Sequence, residues 1–564
     1  MTRINNIENA CFIEDIVDFK IIYKNYNSKK SLYVPLDMET LLFCKKYNVK
    51  IFDFNEYIKD EFHIKANQEA KKFTENLKFK KNINYSLKSE IIGYLRFRLH
   101  SIILIIEIIE ILINKLKIKK LVVSGIKKDT HFLHEPKIIS EIVKNIFPNL
   151  TSAVSDQNIA KEKIYISQYQ AKSQADRKNK ILISNGGYNF KRVCNFFRKL
   201  NYKIYLPSFK KVSFLDQIIY FLRGITVVNF EKKVNYGTQE NFVEKINFTY
   251  SNKYDLSFLL NLFNTKLNFY FNDLNQKIFS IKKFIKSNNF DLLISNIARG
   301  LDGSILDADI KEPTLLIPHG IISSAFNEDD KIYKKNIAEA VFNGESKFFA
   351  IQSKIMNNSL ETHKIGGKPI VTGNLIFSFL NRRKKNKKKY VLFATTLKGF
   401  TNLQYLGVDM FYEYWKILED LNEISKKKNE KIVIKVHPQF KQCKDEIKKY
   451  FKFLYFSNSR IDKLLKNASS LISLSSGTIE DSLNSKVPVI LYDRNSRYRQ
   501  MKILKTEDEN NAVNYINGKK ELEKTIDRIK NRSKFNFDQY IYEYDFNKIL
   551  FSKILPLINN EKKY

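Results

Sequence analysis

Apolar residues along this chain gather into short, nearly unbroken runs, and most are followed by a segment with the spacing of an amphipathic helix. The runs predict strands at Ser31–Pro35, Lys50–Phe54, Lys120–Ser124, Lys180–Asn185, Lys203–Leu206, Asp291–Ser295, Thr314–Pro318, Pro369–Thr372, Tyr390–Ala394, Lys431–Val436, Ala468–Leu474 and Val487–Tyr492. Phe411–Lys426 and Asp445–Phe451 carry helical periodicity between them. Strands that are apolar on both faces belong to parallel sheets covered by helices on each side, so the pattern predicts an α/β chain with doubly wound, Rossmann-like sheets.

A chain of 564 residues exceeds what one hydrophobic core supports. The run Arg382–Lys389 is almost purely basic and sits between two structured segments, which reads as an interdomain linker in preference to a nucleic-acid arm. A polar stretch from Ser155 to Asn179 marks a second, weaker boundary. The expected units are therefore an N-terminal α/β accessory region over 1–170, a central domain over 171–380 and a C-terminal domain with terminal helices over 381–564. No solenoid period is present. Ile102–Ile113 is the longest apolar stretch, but it is too short to span a bilayer and contains Glu107 and Glu110, so it predicts a buried helix in preference to one lying on a membrane surface.

Composition narrows the class. Aromatic residues are plentiful (44 Phe, 31 Tyr) while Gly (17) and Pro (10) are scarce, which excludes a disordered chain. Net charge is +37. The excess is mostly lysine, spread along the chain with abundant Asn and Ile, and is read as compositional bias and general solvation before it is read as a binding surface. It also suits an anionic membrane face. Cys11, Cys44, Cys194 and Cys443 are far apart and form no CxxC pair, so neither a disulfide framework nor a zinc ribbon is expected. The N-terminal residues lack the apolar core of a signal peptide, and a reducing cytoplasm fits, with the protein peripheral at the inner membrane face.

Candidate chemistry sits at predicted strand ends. One strand ends in Lys435-Val436-His437-Pro438, and another runs into Ser475-Ser476-Gly477-Thr478 before a helix carrying Glu480. Free N–H groups and the positive dipole end at that helix start suit an anion, and the hydroxyls and His437 add donors. Thr395 and Thr396 open a neighbouring loop and face the same phosphate in this reading. In the central region a strand, a helix and a second strand deliver His319-Gly320 to a carboxyl strand end, where open α/β sheets bind ligands. Gly320 permits close backbone approach, and His319 is a candidate general base or phosphate donor. Asn185-Gly186-Gly187 ends another strand without the full dinucleotide fingerprint, so it is assigned to the acceptor side of the cleft, with an ordinary βα turn as the alternative.

The order strand-HG, then Val371–Asn374 (VTGN), strand-FATT, KVHPQ, SLSSGTIED and SKVPVI resembles the bacterial GT-B glycosyltransferases of surface-polysaccharide assembly. That group takes in capsule and lipopolysaccharide transferases using CMP-activated ulosonic acids, sialyltransferases with an HP motif and a serine pair, and the CDP-glycerol glycerophosphotransferases of teichoic acid synthesis. The resemblance covers Asp291–Asp493. It implies two Rossmann-like domains facing a cleft, and a metal-independent transfer of a sugar, sialic or ulosonic acids included, from a nucleotide-sugar donor to a glycan or lipid-linked acceptor. CMP- or CDP-linked donors are favoured, no separate cofactor is needed, and CDP-glycerol-type polyol-phosphate transfer is the alternative. By the same resemblance His437 and Pro438 contact the donor phosphate, Ser475 and Ser476 hold it, and Glu480 meets the ribose or base. A first-turn acidic residue serving its own helix is the other reading of Glu480. Sialyltransferase-like enzymes place an acidic residue before Asp-Gly. Here Leu301 precedes Asp302, so Asp302 competes with His319 as the base.

Other features carry less. Asp307-Ala308-Asp309 spells a metal-binding DxD at an apparent helix end and is read as incidental. His131 and His134 lack a third ligand, so no metal site is expected. Nucleic-acid binding would need gathered basic and stacking residues, and a non-catalytic scaffold would have no use for His437 beside a serine pair; both are the weaker readings.

Overall fold

All but one of the apolar runs become strands of three largely parallel sheets in the computed structural model, which describes residues 7–79, 83–124, 138–153, 166–172, 179–185, 190–235, 242–243, 248–251, 253–320, 328–360, 363, 366–377, 389–394, 408–437, 443–474, 476–495 and 510–560. The expected linker at 382–389 lies outside them except for Lys389, as do His131 and His134.

The first sheet contains β1 (Asn9–Ile13), β2 (Ser31–Pro35), β3 (Lys120–Val123) and β4 (Thr151–Ala153) in the order β2-β1-β3-β4, all parallel. The strand expected at Lys50–Phe54 is reduced to one bridge, Ile51 to Tyr33. Asp53 ends it: its carboxylate accepts from the Asn55 and Glu56 N–H groups and starts the short helix Phe54–Tyr57.

The central sheet contains β5 (Ile166–Ala171), β6 (Lys180–Ile183), β7 (Lys203–Ser208) and β8 (Ile225–Asn235). After a small hairpin of β9 (Thr249–Tyr250) and β10 (Tyr254–Asp255), it continues with β11 (Leu292–Ser295), β12 (Thr314–Leu316), β13 (Phe348–Ile351) and β14 (Lys368–Val371). Its order is β14-β13-β12-β11-β6-β7-β8-β5, and only β5 runs antiparallel. The third sheet contains β15 (Tyr390–Ala394), β16 (Ile432–Lys435), β17 (Leu454–Ser457), β18 (Ala468–Ser473), β19 (Val489–Tyr492) and β20 (Val513–Ile516), in the order β17-β16-β15-β18-β19-β20, all parallel. The latter two are the doubly wound, Rossmann-like pair that the pattern predicts, and the N-terminal sheet is the additional α/β region.

In the C-terminal sheet the chain starts at the middle, moves to one edge, returns and moves to the other, and in the central sheet it does the same from β6 onward, after the edge strand β5. The reversal falls between β6 and β11 in the central sheet and between β15 and β18 in the C-terminal one. At such a point the loops leaving the carboxyl ends of neighbouring strands diverge and leave a crevice.

The N-terminal region is packed against both. Its helix Tyr85–Asn114, 30 residues long and buried on nearly every side, holds the expected Ile102–Ile113 run. Toward the central domain, Tyr85 donates to the Asn343 carbonyl at 2.7 Å, Ser86 to Asp307 at 3.0 Å, and Arg96 pairs with Glu339. Toward the C-terminal sheet, Phe54 meets Phe411 and Tyr412 at 5.5 Å between ring centres, and the Lys45 ammonium lies 4.5 Å over Trp415. One apolar cluster runs through this junction. The chain end then crosses back, where Ile549, Leu550, Ile554 and Ile558 join the core of the central sheet with Ile181, Ile204 and Leu292.

Candidate functional site

The site is built at the two reversal points. In the C-terminal sheet β16 ends at Lys435, followed by half-buried His437, and β18 ends at Ser473, followed by the half-buried turn Ser476-Gly477-Thr478 and the helix Thr478–Asn484. These strands flank β15, so the predicted donor residues Lys435, His437, Ser476, Gly477 and Thr478 gather along one sheet edge. Pro438, Ser475, Thr395 and Thr396 are outside the described residues. The Ser473 and Thr478 hydroxyls are buried without a hydrogen-bond partner among the described residues. A buried hydroxyl without a partner is costly, and such groups recur where a polar ligand completes them.

The central sheet brings its own candidates to the facing edge. At its reversal point the Ser184 and Ser295 hydroxyls, one from the end of β6 and one from β11, lie 2.9 Å apart. Asn185 follows exposed, while Gly186 and Gly187 lie outside the described residues. Asn296 is buried, its side-chain oxygen has no partner among the described residues, and its carbonyl accepts from the His319 N–H at 3.2 Å. His319 itself is exposed just past β12, and a Cβ built on Gly320 meets nothing within 4 Å, so that turn opens into free space.

Asp302 stands in the short helix Gly300–Gly303, within the loop that leaves the carboxyl end of β11. Burial and the neighbouring Glu90 carboxylate of the long N-terminal helix push its pKa up to about 7. That value suits a group exchanging protons at neutral pH. Asp307 and Asp309 are both held by Lys282 at 2.7 Å. Both carboxylates of the DxD thus pair with one lysine.

The contacts that fix the central edge and join it to the other one were not legible beforehand. The segment Ile351-Gln352-Ser353 at the end of β13 supplies several of them. Buried Gln352 donates to the Pro318 carbonyl at 2.8 Å, and its oxygen accepts from the Leu375 and Ile376 N–H groups at 3.1 and 3.3 Å. One side chain therefore ties the strand end before His319 to the turn after VTGN. Arg192, in the helix after the NGG loop, closes the same turn by donating to Asn374 at 3.2 Å and to the Phe377 carbonyl. Gly373 in that turn has φ +66°, a left-handed backbone that glycine adopts without strain. Phe377 in turn lies against Gly477, its ring 3.7 Å from where a Cβ would stand.

Ser353 makes the second bridge. Its hydroxyl caps the helix Lys354–Ser359 and donates to the Glu480 carboxyl at 2.7 Å. Glu480 is fully buried, and burial pushes its pKa up to about 8, so it is protonated at neutral pH. The structure thus places Glu480 between the two sheet edges with its side chain turned to Ser353, away from solvent.

Gln352→Ala is expected to lose about 2–3 kcal/mol of stability, because it strands one carbonyl and two N–H groups in a dry interior. Urea unfolding of variant and parent checks this, and a change near zero would mean that water replaces the amide.

No family model matches the sequence, and no curated protein matches it. Among solved structures the chain is similar to UDP-GlcNAc 2-epimerase from Methanocaldococcus jannaschii in complex with UDP-GlcNAc and UDP, at 15% identity, covering 67% of this chain and 98% of that one, with a TM-score of 0.41. It is also similar to TarM from S. aureus in complex with Fondaparinux, alpha-GlcNAc-glycerol and UDP, at 13% identity, covering 67% and 99%, TM-score 0.39. A third is the wall teichoic acid polymerase TagF, at 13% identity, covering 68% and 89%, TM-score 0.39.

Proposed function

We propose that this chain is a glycosyltransferase that moves a sugar from a nucleotide-activated donor, CMP- or CDP-linked, to a surface-polysaccharide or lipid-linked acceptor. The observation that carries the reading is the meeting of two reversal points. The strand ends bearing Lys435, His437 and Ser476 to Thr478 lie along one carboxyl edge, and that edge is joined through Glu480–Ser353 and Gly477–Phe377 to the carboxyl edge bearing Asn185, Asn296 and His319.

In this reading the donor phosphate rests between His437, Lys435 and the Ser476-Gly477-Thr478 turn. The acceptor hydroxyl attacks the anomeric carbon, its proton passes to His319, and the bond from that carbon to the phosphate oxygen breaks with its electron pair on the nucleotide. Fixed donors around that oxygen stabilise the charge that grows there. Asp302, with its raised pKa, is the second candidate for the proton.

The test is stabilisation by a panel of CMP, CDP, UDP, GDP and ADP. A nucleotide at one hundred times its Kd adds about 2.7 kcal/mol, and His437→Ala should lose most of that gain. A CMP-selective gain supports a sialyl- or ulosonic-acid donor, and a CDP-selective gain supports polyol-phosphate transfer through the same site. No gain with any nucleotide, or an equal gain in the variant, overturns the donor-site assignment.

A further inference from the structure

The helix Phe214–Leu222, between β7 and β8, departs from the usual pattern of a crossover helix. A crossover helix ordinarily turns an apolar stripe to the sheet and a charged face to water. This one reads FLDQIIYFL, and no residue in it is buried. Tyr220 packs toward the sheet core, whereas Phe214 is 76%, Leu215 71%, Phe221 81% and Leu222 67% exposed. Single exposed apolar residues need no explanation, but a contiguous set on one short helix marks a surface that something covers.

The rim of the patch is basic. Lys210 and Lys211 are exposed in the turn that leads into the helix, and Arg223 forms its C-terminal cap. Arg198, on the neighbouring helix, donates to the Leu222 carbonyl at 3.1 Å, with exposed Lys199 beside it. Within the helix the one acidic residue, Asp216, is occupied by the Ser213 hydroxyl at 2.7 Å. Bulky apolar side chains ringed by cations match an anionic bilayer surface, where rings and aliphatic chains enter the acyl boundary and ammonium or guanidinium groups meet lipid phosphates. A second copy of the chain is the poorer match. Nine helical residues span about 14 Å, and a stable protein interface needs about 800 Å² from each partner.

We propose that Phe214–Leu222 is a membrane-docking helix that seats the protein on an anionic lipid surface. The assignment does not depend on the reaction the cleft performs. Among the described residues no helix is long and apolar enough to cross a membrane, so the contact is interfacial. The helix starts at the carboxyl end of β7, the same edge of the sheet that carries the candidate site, so docking would bring that edge close to lipid.

Flotation of the full chain with phosphatidylcholine vesicles, with and without phosphatidylglycerol, tests the proposal. Binding is expected only with phosphatidylglycerol present. Phe221→Ser combined with Leu222→Ser should lower partition at least about tenfold, and Lys210→Glu or Lys211→Glu roughly fivefold or more each. All variants should keep the parental circular dichroism. Wild-type protein that ignores anionic vesicles overturns the proposal. So does a serine double variant that binds as well as the parent, which would assign binding to diffuse charge. Light scattering that shows a wild-type dimer and a monomeric serine variant, without vesicle binding, would assign the face to self-association.

Discussion

Glu480→Gln is expected to make the protein more stable as the pH rises, by about 4 kcal/mol at pH 8 relative to the effect of the same substitution near pH 4.5. Burial is the main force that raises the Glu480 pKa from 4.5 to about 8, Asp481 adds to it, and the Ser353 hydroxyl opposes it. In the unfolded chain the carboxyl gives up its proton near 4.5, whereas the folded protein holds it to about 8. Between those values the unfolded state binds fewer protons, so stability falls with rising pH, by about 1.4 kcal/mol per unit. The contribution is whole below the lower value and gone above the upper one. Glutamine carries no titrating proton and removes this slope. Urea unfolding of both proteins across that range should give curves that converge at acid pH and separate toward pH 8. Parallel curves would show that Glu480 titrates normally in the fold and that the Ser353 contact does not exclude water.

Lys282→Met should cost about 3–5 kcal/mol, because it leaves the buried Asp307 carboxylate without its cation. Lys282 pairs with Asp307 and Asp309 and also donates to Asn84 at 2.8 Å, while Ser86 donates to Asp307 from the N-terminal helix. Burial already raises the Asp307 pKa, and Lys282 is the first of the groups that bring it back down. Asp309 is half exposed and can turn to water, so most of the loss falls on Asp307. Adding Asp307→Asn to Lys282→Met should recover at least half of the lost stability, since it removes the stranded charge. Denaturant midpoints of the two single variants and the pair give the coupling directly. A double variant no better than Lys282→Met would locate the damage in lost packing of the lysine stem.

Strands with apolar residues on both faces were legible because their signal is local. β2 and β15 fall at the bounds read from the sequence, and β11, β12, β16 and β18 within a residue or two. β8 was missed because Glu231 to Asn235 is polar, and its partner there is the antiparallel edge strand β5. β17 and β20 lie at sheet edges and expose part of their length, so their runs are short and mixed. Candidate residues at strand ends were legible for the same reason, since a histidine or serine pair directly after an apolar run is a pattern of neighbours. The clamp of Gln352 and the bridge from Ser353 to Glu480 were not. The first joins the ends of three strands of one sheet and the second joins two sheets, so each depends on a partner brought close only by the fold, and a buried glutamic acid in a helix's first turn reads the same as a solvated one until its neighbour across the cleft is known.

The seam in which Phe54 meets Phe411 and the Lys45 ammonium covers Trp415 also constrains how the chain is made. Synthesis runs from the N-terminus, so the first sheet and its long helix emerge while the helix Met410–Lys428 that covers part of their apolar surface has not yet been translated. Until then that surface has no native partner, a condition that favours aggregation or capture by chaperones. Truncation after the central domain would make the exposure permanent, and deletion of the first region would strip the same cover from Phe411, Tyr412 and Trp415. The N-terminal region is therefore part of the folding unit of the C-terminal sheet, and expression libraries cut at the sheet boundaries should yield insoluble fragments on both sides of the cut.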